Sequence, residues 1–168
     1  MIRTPTTAQL LAIPDGPQGT RATLRLMSAL VRQYRKHLAV RQLALAVVQS
    51  VRGHKNFGGM VSALCEWVKD SIQYVRDIRD VETIQTPVKT LEFRQGDCDD
   101  QATLLASLLE SVGFRARFVA IKTEFDGPFV HVYTEVNLGT QWYPLETTEP
   151  WQPGQGPPRV AARMVEDI

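Results

Sequence analysis

The sequence predicts an α+β fold with helices first and an antiparallel sheet second. Three observations carry this. Apolar residues recur at helical spacing in four segments before residue 113, the period changes to strand alternation after it, and turn signals separate the alternating runs. The chain has 168 residues, 43% apolar and 22% charged, which suits one soluble domain with a real core. A net charge of +1 gives no electrostatic argument for a nucleic acid or a membrane surface as partner. No apolar run nears the roughly 18 residues of a membrane span, and Met1-Ile2-Arg3-Thr4-Pro5 lacks a signal-peptide apolar region. Two cysteines, Cys65 and Cys98, make no disulfide framework, so synthesis is expected inside the cell.

Residues 1–20 carry Pro5, Pro14, Gly16, Pro17 and Gly19 and are expected to form an extended arm. Leu24, Met27, Leu30, Val31 and Tyr34 then mark a helix from Arg21 to about His37. Val40, Leu43, Leu45, Val47, Val48 and Val51 mark a second, from Ala39 to Arg52. The basic residues between these stripes (Arg21, Arg25, Arg32, Arg35, Lys36, Arg41) read first as the solvated faces of amphipathic helices, with a surface for an acidic partner as the alternative. A loop at 53–59 contains His54, which has no ligand-type neighbour. A third helix spans about Met60 to Tyr74, with Cys65 on its apolar side as a core residue. Residues 75–95 form a long connection, broken at Pro87, with a helical turn at Lys89–Phe93; such connections often border a substrate cleft.

Gly96-Asp97-Cys98-Asp99-Asp100-Gln101 then runs straight into Ala102-Thr103-Leu104-Leu105. Asp97 is a good N-cap and Cys98 falls at the first helical position. Leu104, Leu105, Leu108, Leu109 and Val112 face the core, and Gly113 ends the helix. A free cysteine is usually a small buried hydrophobe, but this one has glycine, three aspartates and glutamine around it. A thiol at a helix N-terminus feels the positive end of the dipole, which together with His131 predicts a pKa of roughly 4–7, opposed by the flanking aspartates. The acids fit no EF-hand spacing.

After the helix, residues 115–122, 129–137 and 141–146 read as three strands of a meander, with room for a fourth. Alternation puts His131, Tyr133, Glu135 and Asn137 on one face and Val130, Val132, Thr134 and Val136 on the other. A nucleophilic Cys98 needs a base and an orienting group; His131 and then Glu146, or the nearby Glu149, stand in the right order. Each taken singly reads as a surface or hydrogen-bonded residue. From Pro150 onward proline and glycine mark an extended tail over 151–168.

These motifs carry a resemblance. Gly-Asp-Cys-Asp-Asp, the leucine-rich helix ending in Gly113, Arg117-Phe118-Val119, the Phe129–Val136 run and Trp142-Tyr143-Pro144-Leu145-Glu146 resemble the transglutaminase-like superfamily over about residues 60–150. The resemblance implies a papain-like core, the Cys-bearing helix packed on a small antiparallel sheet, and a domain over 21–150 with its helical part at 21–112 and its sheet at 115–146. It implies Cys98 as nucleophile, His131 as base and Glu146 as acid, where the family usually has aspartate. Asp97, Asp99 and Trp142, from the same motifs, and Gln85, from the connection ahead of them, are the expected binding residues. The implied reaction is acyl transfer from a peptide or amide substrate without a cofactor, and hydrolysis and transamidation stay open. Three histidines and two cysteines lie too scattered for a zinc site. Gly19–Met27 with Ile84-Gln85-Thr86-Pro87 is further similar to transglutaminase-like proteins encoded among bacteriophage tail genes. That likeness implies synthesis in the bacterial cytoplasm, a place in the virion and tail-protein partners held by the terminal arms. The alternative it leaves is a non-catalytic component of the tail.

Overall fold

The computed structural model describes residues 14–76 and 83–168. The helical part is α1 (Gly16–Tyr34), α2 (Leu38–Gln49), α3 (Phe57–Ser71), α4 (Pro87–Phe93) and α5 (Cys98–Ser111). Two short strands, β1 (Gln73–Tyr74) and β2 (Gln95–Gly96), pair in parallel just ahead of α5. The sheet proper has β3 (Ala116–Lys122), β4 (His131–Asn137), β5 (Trp142–Leu145) and β6 (Ala162–Asp167), in the order β5-β4-β3-β6, and every pair in it is antiparallel.

Helix α5 is the hub. Every residue from Asp100 to Leu109 is buried, polar Gln101, Thr103 and Ser107 included. A helix buried on all sides is a core helix rather than an amphipathic one, so the leucine stripe understates its burial. It packs against α1, α2, α3 and α4 and against β3 and β4. Leu104, Leu105, Leu108 and Leu109 join Phe118, Ala120, Val132, Val136, Leu64 and Val68 in one cluster. At its end Phe114 N–H donates to Leu109 O (3.1 Å) and Gly113 sits at φ +94°, the left-handed turn that only glycine takes without strain. The other face of the sheet carries a smaller cluster of Val119, Ile121 and Tyr133.

The two ends of the chain differ from the sequence reading. Helix α1 begins at Gly16, not Arg21, because Pro17 stands in its first turn, where a missing N–H costs nothing. Residues 1–13 of the expected arm lie outside the described residues, as do residues 77–82 of the long connection. The expected C-terminal tail is no arm. Gly154 N–H donates to Pro144 O and Ala161 N–H to Lys122 O, both at 2.8 Å, and the chain then forms β6 along β3 from Lys122 back to Arg117. This is the fourth strand for which the meander left room.

Candidate active site

Cys98 is the first residue of α5. The Asp97 carboxylate accepts the Asp99 (3.1 Å) and Asp100 (3.3 Å) amides, and Asp100 in return accepts the Asp97 amide, a reciprocal capping box. The turn before it is tight: a Cβ on Gly96 would lie 2.6 Å from the Asp100 Cβ. The β1–β2 pair ties this turn to the end of α3, with Val75 N–H on Gly96 O at 3.2 Å. Cap, glycine and strand pair together fix the direction in which the thiol projects.

The thiol lies against the sheet. The sulfur has the backbone amide of Val132, the residue after His131, for a neighbour, and its thiol donates to Asp99 Oδ1 at 3.5 Å. Burial, then Asp99, then Asp97 push the Cys98 thiol above its ordinary pKa, with the Val132 amide pulling weakly the other way. The expected depression to roughly 4–7 is therefore corrected. A helix N-terminus supplies about half a positive charge, and two adjacent carboxylates together with desolvation outweigh it. The resting sulfur is a thiol, and its proton needs an acceptor.

His131 opens β4 and Glu146 follows β5. His131 Nε2 lies 2.6 Å from Glu146 Oε2, with the two side chains 13% and 2% exposed. The second carboxylate oxygen is also occupied: Oε1 accepts Thr148 N–H (2.8 Å), Thr148 Oγ1–H (3.0 Å) and Glu149 N–H (3.3 Å). Burial by itself would raise Glu146, but the hydrogen bond and charge of His131 and the Thr148 donors hold the carboxyl below its usual range. With Nε2–H donating to a carboxylate, the neutral ring keeps Nδ1 as its free acceptor. Trp151 stands edge-on to the imidazole at 6.2 Å and Tyr133 stacks on it at 6.3 Å. Lys69 of α3 holds the carbonyls of Glu149 and Trp151, so the turn over the pair is anchored to the helical layer.

The other expected site residues fall in different places. Gln85 is committed: its amide N–H donates to Asp100 Oδ1 (2.7 Å) and its Nε2 to Asp100 Oδ2 (2.8 Å) and Gln95 O (3.3 Å). It fastens the approach loop to α5. Asp97 serves the cap and Asp99 accepts the hydrogen bond of the thiol. Trp142 pairs with Asn137 at the far end of β4 from His131 and stacks over the Arg117 guanidinium at 4.1 Å. Strand rise makes that separation about 20 Å, so Trp142 stands away from the thiol. Asp97, Cys98 and Asp99 each present one ligand atom within 4.8 Å of the others, but all three are already hydrogen-bonded within the turn.

Cys65 is fully buried on α3, and its Sγ donates to the Glu146 carbonyl at 3.3 Å. Burial first, then the nearby Glu146 charge, push this thiol up to about 12. The core reading of Cys65 fits that environment. Sequence reasoning missed Thr148, Asp100 as the Gln85 partner, and Trp151. A threonine two residues after a buried acid is a weak turn signal, and no spacing rule marks the other two.

No curated protein matches the chain by sequence. Solved structures match it in fold. A candidate cysteine protease from Cytophaga hutchinsonii shares 16% identity at a TM-score of 0.57, covering 84% of this chain and 51% of that one. A candidate protease from Parabacteroides distasonis shares 11% identity at 0.61, covering 86% and 32%. LapG of Legionella pneumophila, in its EGTA-treated form, shares 16% at 0.51, covering 75% and 71%. The chain thus spans about half the length of the first and a third of the second, and identities this low establish the fold alone. The sequence profile of the Transglutaminase-like superfamily matches residues 42–147, more than half the chain, a span that includes Cys98, His131 and Glu146. The chain belongs to the transglutaminase-like superfamily.

Proposed function

We propose that the protein is a thiol hydrolase that cleaves a peptide or amide bond through Cys98, His131 and Glu146. The observation that carries this is the buried 2.6 Å His131–Glu146 contact beside the strand position whose amide meets the thiol. His131 Nδ1 takes the Cys98 proton as sulfur attacks the substrate carbonyl carbon. The amide π pair moves onto oxygen, next to the Cys98 amide at the first turn of α5, where helix N–H groups lack internal partners. The tetrahedral adduct collapses, the C–N bond breaks, and the imidazolium proton goes to the leaving amine. Water, deprotonated by the same nitrogen, then cleaves the thioester and restores the thiol. Glu146 holds the ring in the productive tautomer and stabilises the imidazolium. Its extra methylene relative to aspartate is taken up by the Thr148 turn, which fixes the far oxygen.

The assembly role in a bacteriophage tail is the less supported reading, because one of its two expected arms is the edge strand β6 of the domain's own sheet. The test is a peptide-library digestion read by mass spectrometry, with Cys98→Ala as control. Cleavage lost in that variant supports the hydrolase. A fluorescent primary amine added to the same reaction separates the two outcomes of the thioester, since transamidation incorporates it and hydrolysis does not. Absence of both products, together with equal alkylation of Cys98 and Cys65 in the native protein, overturns the catalytic reading.

A further inference from the structure

At the end of α5 opposite Cys98, about 20 Å away by helix rise, a cleft of about 760 Å³ opens between α2, α3 and the turn after α5. Its floor is apolar. Leu45 and Val48 stand three apart on α2, Phe57 and Met60 three apart on α3, and Phe114 closes the end in an edge-to-face pair with Phe57 at 6.1 Å. Phe57 is 50% exposed, so the cleft is an open groove between two helical ridges rather than an enclosed chamber.

Its rim is basic. Arg35, Lys36 and Arg41 line it, and its one acid, Glu110, is already used by Arg35 (2.9 Å) and by the Ala116 amide (2.9 Å). Arg41 donates to Ser111 O at 2.6 Å, at the negative end of α5. Both guanidiniums are thus held in place with N–H groups to spare, and Lys36 is exposed. Apolar residues at i and i+3 on two neighbouring helices, with cations along one edge, are complementary to an amphipathic helix carrying acids beside its apolar stripe. A methionine in the floor lets such a groove adapt to its occupant.

We infer that this groove docks an acidic amphipathic helix of a partner protein, at the end of the molecule away from the thiol. The experiment uses the full chain and a fluorescent peptide of about 18 residues with leucines at i, i+3, i+4 and i+7 and glutamates flanking them. Its counterpart has lysine at every glutamate position. Fluorescence anisotropy at low salt should show the acidic peptide binding at least about tenfold tighter, with the difference shrinking as salt rises. Phe57→Ala and Lys36→Glu, both at exposed positions, should each weaken the acidic peptide at least about fivefold, with circular dichroism showing the fold retained. Equal binding of the two peptides, no saturable binding by either, or indifference to both substitutions overturns the inference. So does tighter binding to phosphatidylglycerol vesicles than to the acidic peptide.

Discussion

Two buried glutamates, Glu135 and Glu146, differ in what their partners can do with a proton. Glu135 in β4 is 4% exposed and Glu146, just past β5, is 1% exposed. Both have their oxygens fully satisfied. Glu135 lies between Arg117, at 2.6 and 2.8 Å, and Arg163, with the Tyr133 hydroxyl at 3.5 Å. Glu146 meets His131 on one oxygen and the Thr148 turn on the other. Arginine keeps its proton throughout the working pH range, so the Glu135 cluster is fixed charge that ties β4 to β3 and β6. A histidine ring can both accept and give up a proton, which is what the proposed triad asks of the Glu146 partner. Burial of an acid by itself therefore does not single out Glu146 for the proposed triad; the proton-exchanging chemistry of its partner does.

The largest effect expected from this contrast is on turnover. Glu146→Gln and His131→Ala should lower kcat by about 10²–10⁴ on whichever library peptide is cleaved, while Glu135→Gln stays within about threefold. If Glu135→Gln lowers kcat as far as Glu146→Gln does, the division between the two glutamates is wrong.

The contrast should reverse in stability. Glu135→Ala leaves two arginines facing each other without their anion. Breaking a buried pair from one side costs about 3–5 kcal/mol. Arg163 is 44% exposed and Arg117 21%, so water recovers part of this and about 2–3 kcal/mol is expected. For a domain of this size that lowers Tm by roughly 5–10 °C. A calorimetric scan showing no change would mean that Glu135 is a solvated surface acid.

Much of this was legible in the sequence, and the failures have physical causes. The Asp97 cap, the leucine run and Gly113 mark α5 because capping and burial are local signals. The His131 strand was legible because its alternation is strict. Strand β6 was not: Ala162-Arg163-Met164-Val165-Glu166-Asp167 is an edge strand with only Met164 buried, and it follows a proline pair that reads as the start of a tail. Trp142 was misplaced because pairing register decides which end of β4 it adjoins, and register is not written in one strand alone. The Cys98 pKa was misjudged because the helix dipole is a property of the element, whereas the depth of the sulfur and the aim of Asp99 are tertiary.

A smaller effect tests the turn. Thr148→Val removes one hydroxyl donor from Glu146 Oε1 and keeps both backbone amides. A carboxylate with one fewer donor holds the ring less firmly and is easier to protonate. We expect kcat to fall about 3–10-fold with KM little changed, and the acid limb of the kcat profile to move up in pH. Thr148→Ser, which keeps the hydroxyl, should restore both. Loss of kcat without movement of the acid limb would leave Thr148 as packing alone.

The gentlest test, per unit of the variable changed, is the pH dependence of stability. Asp100 is 1% exposed, and burial raises its carboxyl to about 7 despite the Gln85 and Asp97 donors. The unfolded chain has an aspartate near 3.9. Between these two values the folded state holds the extra proton, so Asp100 makes folding more favourable at the acid end, and its contribution falls as pH rises towards about 7. The slope cannot exceed one proton, about 1.4 kcal/mol per pH unit. Glu146 acts with the opposite sign, since its carboxyl is held below the usual range. Its contribution is present above the unfolded value of about 4.3 and is lost only below that, so the two windows hardly overlap. Urea unfolding of the wild type and of Asp100→Asn from about pH 4.5 to 7.5 isolates the aspartate, because other groups cancel in the difference. The advantage of the wild type should shrink steadily as pH rises and level off above about 7. A difference that stays constant across the range would place Asp100 outside the titrating groups and leave its bonds to Gln85 as a fixed structural clasp.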